Sequence, residues 1–319
     1  MVRFKTRQCW DDWTIQLTRY VLGVDGGGTK TDAVIADEHG KVISSASNGG
    51  ANWERMGIDK ALISLEEVIC KAAESAGIET SQIESASFAI AGIDWPDDVK
   101  LYLPITDRLG ITNFQIMNDS FAALYAGAGK LEGIVSIAGT GGKTAGIYAG
   151  KEAQTMGMEL GEGGGAGQLV GLALEYIAMQ HHNTVAPSAL YELIPQLMKQ
   201  EPGTDFFQAV ARSGLRLNES LAPEIFKLTE NADPGAMYAV TRTAAQHAND
   251  VIGIARQLGI SDQPITIIRA GGLHTAGNKV FDAEFEKVVL GFLSGASLKV
   301  LAEAPVMGAL QSAIGGLNG

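Results

Sequence analysis

The residues of this chain best suited to chemistry gather around glycine. Asp25-Gly26-Gly27-Gly28-Thr29-Lys30-Thr31 follows one apolar run, and Ala138-Gly139-Thr140-Gly141-Gly142 follows another. Bare backbone amides let an anion come close, Thr29 and Lys30 can donate to phosphate oxygens, and Asp25 can hold a hydrated Mg²⁺. The first cluster is therefore built like a phosphate cradle. Asp119, in Asn118-Asp119-Ser120, stands where a strand-like run gives way to a helical one and offers a carboxylate that can accept a proton. Phosphoryl transfer to a hydroxyl needs positioning, charge neutralisation and such a base. Each feature also has a plain structural reading: Asp119 could cap the helix from Ser120, and a tight turn needs glycine for positive φ. Asn52, in Gly49-Gly50-Ala51-Asn52-Trp53, carries an amide that both donates and accepts, which suits vicinal sugar hydroxyls as well as a turn. Trp53 reads as core packing.

Two familiar glycine loops are excluded. A dinucleotide fingerprint opens a helix, whereas residues 31–37 read as a strand, and the Walker spacing Gly-x-x-x-x-Gly-Lys-Ser/Thr is absent.

The elements that must position these residues follow from periodicity. A buried strand over 20–25 leads into the first glycine turn, and strands over 31–37 and 41–47 form a hairpin after it. Leu62, Leu65, Val68, Ile69 and Ala72 share a helical face, which predicts a helix over 59–76 stopped by Gly77. Strands are expected over 85–90 and 111–117, and a helix over 121–128. Residues 133–142 then repeat the plan of strand, glycine turn and hairpin, which points to a duplicated domain with two turns facing a cleft. Most of 165–258 is helical in texture, 265–270 is a strand ending at Gly271-Gly272, and 306–313 reads as a closing helix.

Composition sets the bounds. At 100–200 residues per domain, 319 residues give roughly two domains. Glycine is in excess, 40 residues where the usual share is ~7%, and it falls in clusters rather than low-complexity repeats. The formal charge of −12 repels phosphate backbones and anionic lipid, so neither nucleic acid nor a membrane surface is an expected partner. No apolar run approaches the roughly 18 residues of a membrane span. Two cysteines, Cys9 and Cys70, make no disulfide framework or four-ligand metal site, and a reducing cytoplasm is the default compartment. Residues 1–20 lack the apolar centre of a signal peptide and read as an appendage outside the fold. His39, His181, His182, His247 and His274 show no metal spacing and read as structural or surface positions.

Taken in order, these segments resemble the actin, Hsp70 and sugar-kinase superfamily of ATP-binding proteins. Within it, residues 21–316 are most similar to the N-acetylglucosamine kinase branch of the BadF/BadG/BcrA/BcrD ATPase family. The resemblance implies an α/β fold of two duplicated ribonuclease-H-like (actin-like ATPase) domains flanking an ATP/sugar cleft. It divides the chain into 21–117, joined by a helix at about 306–319, and 118–305 with a helical insertion. It makes Asp25, Gly26, Gly27, Gly28, Thr29, Lys30 and Thr31 the first phosphate loop, with Asp25 holding Mg²⁺ through water. Gly139, Thr140, Gly141 and Gly142 become the second loop, and Gly271 and Gly272 the adenosine-contacting turn. Asp119 becomes the catalytic base, and Asn52, Asp119, Thr140, Gly141 and Glu162 the sugar contacts. The implied reaction is ATP-dependent phosphorylation of an amino sugar, N-acetylglucosamine first and glucosamine or another hexose as the alternative, by a cytoplasmic homodimer.

This chain also departs from the family pattern. Gly142 replaces the serine of Gly-Thr-Gly-Ser, with Lys143 next, and Gly161-Glu162-Gly163-Gly164-Gly165 replaces Gly-Asp-x-Gly-Ser. Glu162 is one methylene longer than the Asp it replaces, and misplacement of order 1 Å can cost ~100-fold in rate. Two other classes stand beside the kinase. One is an ATPase activator whose dimer is bridged by a cysteine-held iron–sulfur cluster, which Cys9 and Cys70 do not suit. The other is a sugar-binding relative without catalysis.

Overall fold

The computed structural model describes residues 18–157, 161–215 and 218–317. The appendage expected at the start of the chain thus lies outside the described residues, except for its last three. β1 (Tyr20–Gly26) begins at Tyr20, and Arg19 is fastened to the sheet by an ion pair to Glu84 at 2.6 Å.

Two five-stranded sheets repeat one plan. In the first, β1 lies at the centre, antiparallel to β2 (Lys30–Asp37), which pairs with β3 (Val42–Gly49), and parallel to β4 (Ile83–Ile90), which pairs with β5 (Phe114–Met117). In the second, β6 (Gly133–Ala138) takes the central place, antiparallel to β7 (Gly142–Tyr148) and its partner β8 (Lys151–Gln154), and parallel to β9 (Thr266–Ala270) and its partner β10 (Ser297–Val300). The duplication expected from the glycine turns is thus a duplication of whole sheets, each with its turn directly after the central strand. Val21, Leu22 and Val24 on β1 and Ile134 and Val135 on β6 are fully buried, as strands covered on both faces must be.

A parallel partner requires a crossover. In the first sheet it is α1 (Trp53–Met56) and α2 (Ile58–Ala76), the latter burying Leu62, Leu65, Val68, Ile69 and Ala72 and ending at Gly77 in the left-handed conformation. α3 (Val99–Leu109) precedes β5, and α4 (Asp119–Ala128) joins the sheets. In the second sheet the crossover expands into a helical insertion: α5 (Ala166–His181), α6 (Leu190–Leu197), α7 (Thr204–Arg212), α8 (Ala222–Leu228) and α9 (Pro234–Leu258). α10 (Gly272–Thr275) and α11 (Lys279–Phe292) follow β9, and α12 (Pro305–Gly315) closes the chain.

The sequence reading passes over α3, α8, α11 and β10. α3 carries Pro104, which lowers helical propensity, and β10 is a four-residue edge strand with little buried surface. The expected strand over 111–117 starts only at Phe114, because Gly110 closes α3 in the left-handed conformation and Ile111 N–H bonds Thr106 O.

α12 lies on the first sheet, where Val306, Leu310 and Ala313 pack on Val21, Val34 and Ala36. It also crosses α4 at backbone distance: a Cβ on Gly308 would meet the Ala122 carbonyl oxygen and stand 2.6 Å from Ala126 N. Gly308→Ala should therefore force the two helices apart and destabilise the fold by about 1–3 kcal/mol, read as a lower midpoint in urea. An unchanged midpoint would show that the crossing is loose.

Candidate active site

The two glycine turns face a cleft of about 380 Å³ whose wall includes Gly28, Thr29, Asn52, Asp119, Thr140 and Gly141. In the first turn, Gly27 N–H donates to Lys30 O (2.8 Å), and Ala51 N–H donates to Gly27 O (2.9 Å). Gly50 packs directly on the Gly28 carbonyl, with no room for a side chain. Gly28 and Thr29 present the turn to the cleft, while the other members of the cluster support it. Gly26 ends β1, Thr31 is buried with its hydroxyl unpartnered, and the Lys30 ammonium turns to Asp32 at 2.9 Å.

The second turn is held the same way. Gly139 N–H bonds Gly141 O (2.9 Å), and Ala166 N–H bonds Gly139 O (2.8 Å). Gly165 lies against the Gly139 and Thr140 carbonyls, and a Cβ on Gly142 would collide with the carbonyl of Gly163. The two departures noted in the sequence meet here, because the backbone of Gly163 and Gly164 fills the space that a side chain at 142 would need.

Gly271, at φ 85°, packs on the backbone of Ala138 and Gly139, bringing the third glycine turn against the second. Thr140, Ala222, Pro223, Phe226, Gly272 and Leu273 wall a neighbouring cavity of about 450 Å³. Its α8 residues, Ala222, Pro223 and Phe226, carried no signal in the sequence, since only the folded insertion brings them beside Gly272.

Asp119 is not the cap of α4. Asn118 takes that duty, its Oδ1 accepting from Ser120 N–H (3.0 Å) while its amide donates to Ile93 O (3.1 Å) and Asp94 Oδ1 (3.2 Å). The Asp119 carboxyl is left for the cleft. Burial, and then the charge of Asp94, push its pKa up to about 6 against the pull of Lys143. Asp25, at the end of β1, is raised to about 7 by burial, then by Asp119 and Asp32.

Lys143, the cation gained beside the second turn, is committed to protein. Its ammonium pairs with Asp94 at 2.7 Å and donates to Thr155 O, with both side chains of the pair nearly buried. Asp94 follows β4 of the first sheet and Lys143 lies on β7 of the second, so the ion pair ties the two sheets together at the cleft. Gln154 adds a bond to Asp94 O at 2.8 Å.

Glu162 differs from expectation. Its carboxylate accepts from the amides of Met156 (3.1 Å) and Gly157 (2.8 Å), and it is not among the residues walling the cleft. The longer side chain is turned to its own loop. Asn52 does reach the cleft: its Oδ1 caps α1 through Glu54 N–H (2.8 Å), leaving Nδ2 without a protein acceptor among the described residues. Trp53 packs on the first core and donates Nε1–H to Gly92 O (2.8 Å).

His247 and His274 are more than fillers. The Gly164 carbonyl, 2.7 Å from His247 Nε2, can only accept, so that nitrogen carries the proton and Nδ1 accepts from the Ser136 hydroxyl (3.3 Å). The Ser136 oxygen then accepts from His274 Nε2–H (3.2 Å). This buried chain runs in one direction from α10, past the central strand β6, to the segment under the second turn. The sequence offered no sign of it beyond the residue types.

Two sheets of one strand plan, each delivering a glycine turn to a shared cleft with carboxylates at the strand ends, define an actin-like ATPase architecture. The chain belongs to the BadF/BadG/BcrA/BcrD ATPase family, whose model matches residues 22–315. It is 25% identical over 279 residues to N-acetylmuramic acid/N-acetylglucosamine kinase of Clostridium acetobutylicum, covering 84% of this chain and 90% of that one. It is 34% identical over 130 residues to N-acetyl-D-glucosamine kinase of Dictyostelium discoideum, covering 38% of this chain and 41% of that one. A solved structure from Chromobacterium violaceum shares the fold with a TM-score of 0.68 at 21% identity, over 92% of this chain and 98% of its own.

A carboxylate that acts as a base must be ionised, so activity should fall as the pH drops through about 6, where Asp119 gains its proton. Lys143 lowers that pKa; Lys143→Met should shift the acid limb of the rate profile to higher pH, and a limb that stays in place would rule out this coupling. His247 has its pKa lowered to about 4 by burial, from an ordinary 6.5. The unfolded chain therefore binds the proton first, and stability present above pH 6.5 is lost as the pH falls toward 4. The His247 share of that loss is about 3 kcal/mol, read in urea titrations as the difference between wild type and His247→Gln across that window.

Proposed function

We propose that this protein is an ATP-dependent kinase that phosphorylates a hydroxyl of an amino sugar, with N-acetylglucosamine as the first candidate. The observation that carries the reading is the convergence of Asp119, freed from capping by Asn118, with the tips of both glycine turns on one cleft. The activities of the Clostridium acetobutylicum and Dictyostelium discoideum relatives support it.

In this reading, residues 25–31 and 139–142 hold the phosphates of ATP, and the cavity between Phe226 and Gly272 receives the adenosine. Asn52 Nδ2 and Asp119 orient the acceptor. The acceptor oxygen attacks the γ-phosphorus as its proton passes to Asp119, and the bond to the β–γ bridging oxygen breaks to release ADP. Burial and the charge of Asp119 raise the cost of ionising Asp25, which a divalent cation would relieve. Among the described residues no group of three His, Cys, Asp or Glu side chains is arranged around a metal. Mg²⁺ keeps several waters and is bound largely through phosphate, so Asp25 would hold it through water. When bound, it neutralises phosphate charge.

The family resemblance supports a cytoplasmic homodimer and a division into two ATPase-type domains, 21–117 with the closing helix and 118–305. An iron–sulfur activator has no support in Cys70. It is half-buried on α2, and its thiol is pushed up by burial and by Glu66, Glu74 and Glu79.

A coupled ADP-release assay tests the reading with N-acetylglucosamine, glucosamine, N-acetylmannosamine, glucose and no sugar. One amino sugar should stimulate turnover, and Asp119→Asn should lower kcat by on the order of 10²–10⁴-fold with ATP affinity kept. Retained turnover in that variant would remove Asp119 as the base. No response to any sugar would remove the kinase.

A further inference from the structure

We propose that Arg55 is a catalytic residue that clamps the transferring γ-phosphate from the first-turn side of the cleft; this rests on the kinase reading above. Two basic side chains are found among the described residues walling the cleft, Arg55 and Lys143. Lys143 is already spent on Asp94, and Lys30 of the first turn on Asp32. Arg55 forms no ion pair among the described residues. A triphosphate entering a site already lined by Asp94 and Asp119 needs a cation, and Arg55 is the side chain that can supply it.

Its placement is fixed by the fold. Ala51 N–H bonds Gly27 O and Gly50 packs on the Gly28 carbonyl, so the segment leading into α1 is fastened to the tip of the first turn. Arg55 then lies over that tip. Its Nη1 is 3.2 Å and its Cζ 3.4 Å from where a Cβ on Gly28 would stand, an approach open because the α-carbon is bare. A guanidinium beside Gly28 on the wall of the cleft can offer paired N–H groups to a phosphate held at that turn, the donor set that recognises phosphate bidentately. In the transition state the phosphoryl group passes from the bridging oxygen of ADP to the acceptor oxygen, and Arg55 neutralises charge on its equatorial oxygens without taking a proton. The other oxyanion a cationic cleft residue could meet is a carboxylate on the acceptor sugar, and the experiment separates the two.

The full-length protein and its Arg55→Ala and Arg55→Lys variants would be compared in two ways. In the ADP-release assay with N-acetylglucosamine, Arg55→Ala should lower kcat on the order of 10²-fold with the sugar KM little changed, and Arg55→Lys should recover part of the loss. In calorimetric titrations, Arg55→Ala should weaken a non-hydrolysable ATP analogue about tenfold more than ADP, which lacks the γ-phosphate. The proposal is overturned if Arg55→Ala keeps wild-type kcat and an unchanged ratio of analogue to ADP affinity, or if it weakens both nucleotides equally. A defect confined to N-acetylmuramic acid, whose carboxylate would be the partner, overturns it as well. Should no sugar stimulate the wild type, the kinase reading fails and the affinity ratio still decides the role of Arg55.

Discussion

Backbone packed on backbone, with no Cβ between, is the contact on which the cleft depends. The first turn is held by Gly50 against Gly28, and the second by Gly165 against Gly139 and Thr140 and by Gly163 against Gly142. Gly271 adds the third glycine turn to the same stack. A side chain at Gly50, Gly142, Gly165 or Gly271 would have to displace a backbone carbonyl, and interiors at crystal-like density accommodate little of that. The glycine excess is thus concentrated where the chain must come within contact of itself twice, once to shape a turn and once to back it. This also explains why the second turn and the 161–165 segment depart from the family pattern together. A side chain at 142 would need the space that the Gly163 and Gly164 backbone fills.

Charge is arranged around that frame. The Lys143–Asp94 pair is nearly buried, and such pairs return little net stability once desolvation is counted. Its effect falls on Asp119, which Asp94 pushes toward protonation and Lys143 pulls toward ionisation. Because the two partners come from different sheets, the ionisation of Asp119 is linked to the relative placement of the sheets. A carboxyl tuned by an inter-sheet ion pair reaches its assembled electrostatic state only when the cleft is formed.

Much of the fold was legible because its signals are local. The runs before Gly26 and Gly139 read as buried strands, the hairpins followed from turn residues, and the repetition of the plan led to duplicated sheets. The elements passed over had weak local signals, such as Pro104 within α3 and the four residues of β10. α11 is a different case: Asn278 caps it, and Phe281, Phe285 and Val289 recur at four-residue spacing, so its pattern was present in the sequence. At the site, the residue types were legible but their commitments were not. The Lys30–Asp32 pair and the Asn118 cap on Ser120 are local, two residues apart, and were open to a sequence reading that did not draw them; nothing in the spacing says that Lys143 crosses to Asp94, since that depends on which groups the tertiary fold brings within a few ångströms. Arg55 was missed for the same reason. Its neighbour in the fold is Gly28, and the two are far apart in the chain.

Under the kinase proposed above, acceptor recognition would follow from these commitments. The Glu162 carboxylate accepts from the amides of Met156 and Gly157, and the amide of Gly163 donates to Asp250 at 2.6 Å and that of Gly164 to Gln168 at 2.9 Å. The 161–165 segment is therefore satisfied within the protein and retains little to offer a sugar. Asn52 has spent Oδ1 on Glu54, so its contribution is as a donor through Nδ2. Donation from Asn52 and acceptance by Asp119 then define a minimal polar frame for the acceptor. Such a frame fixes one hydroxyl firmly at the base and leaves the far side of the ring to shape alone. Since missing polar contacts cannot reject analogues as strongly as unpaired buried ones do, this arrangement favours tolerance at the ring positions remote from Asp119 over tight selection there.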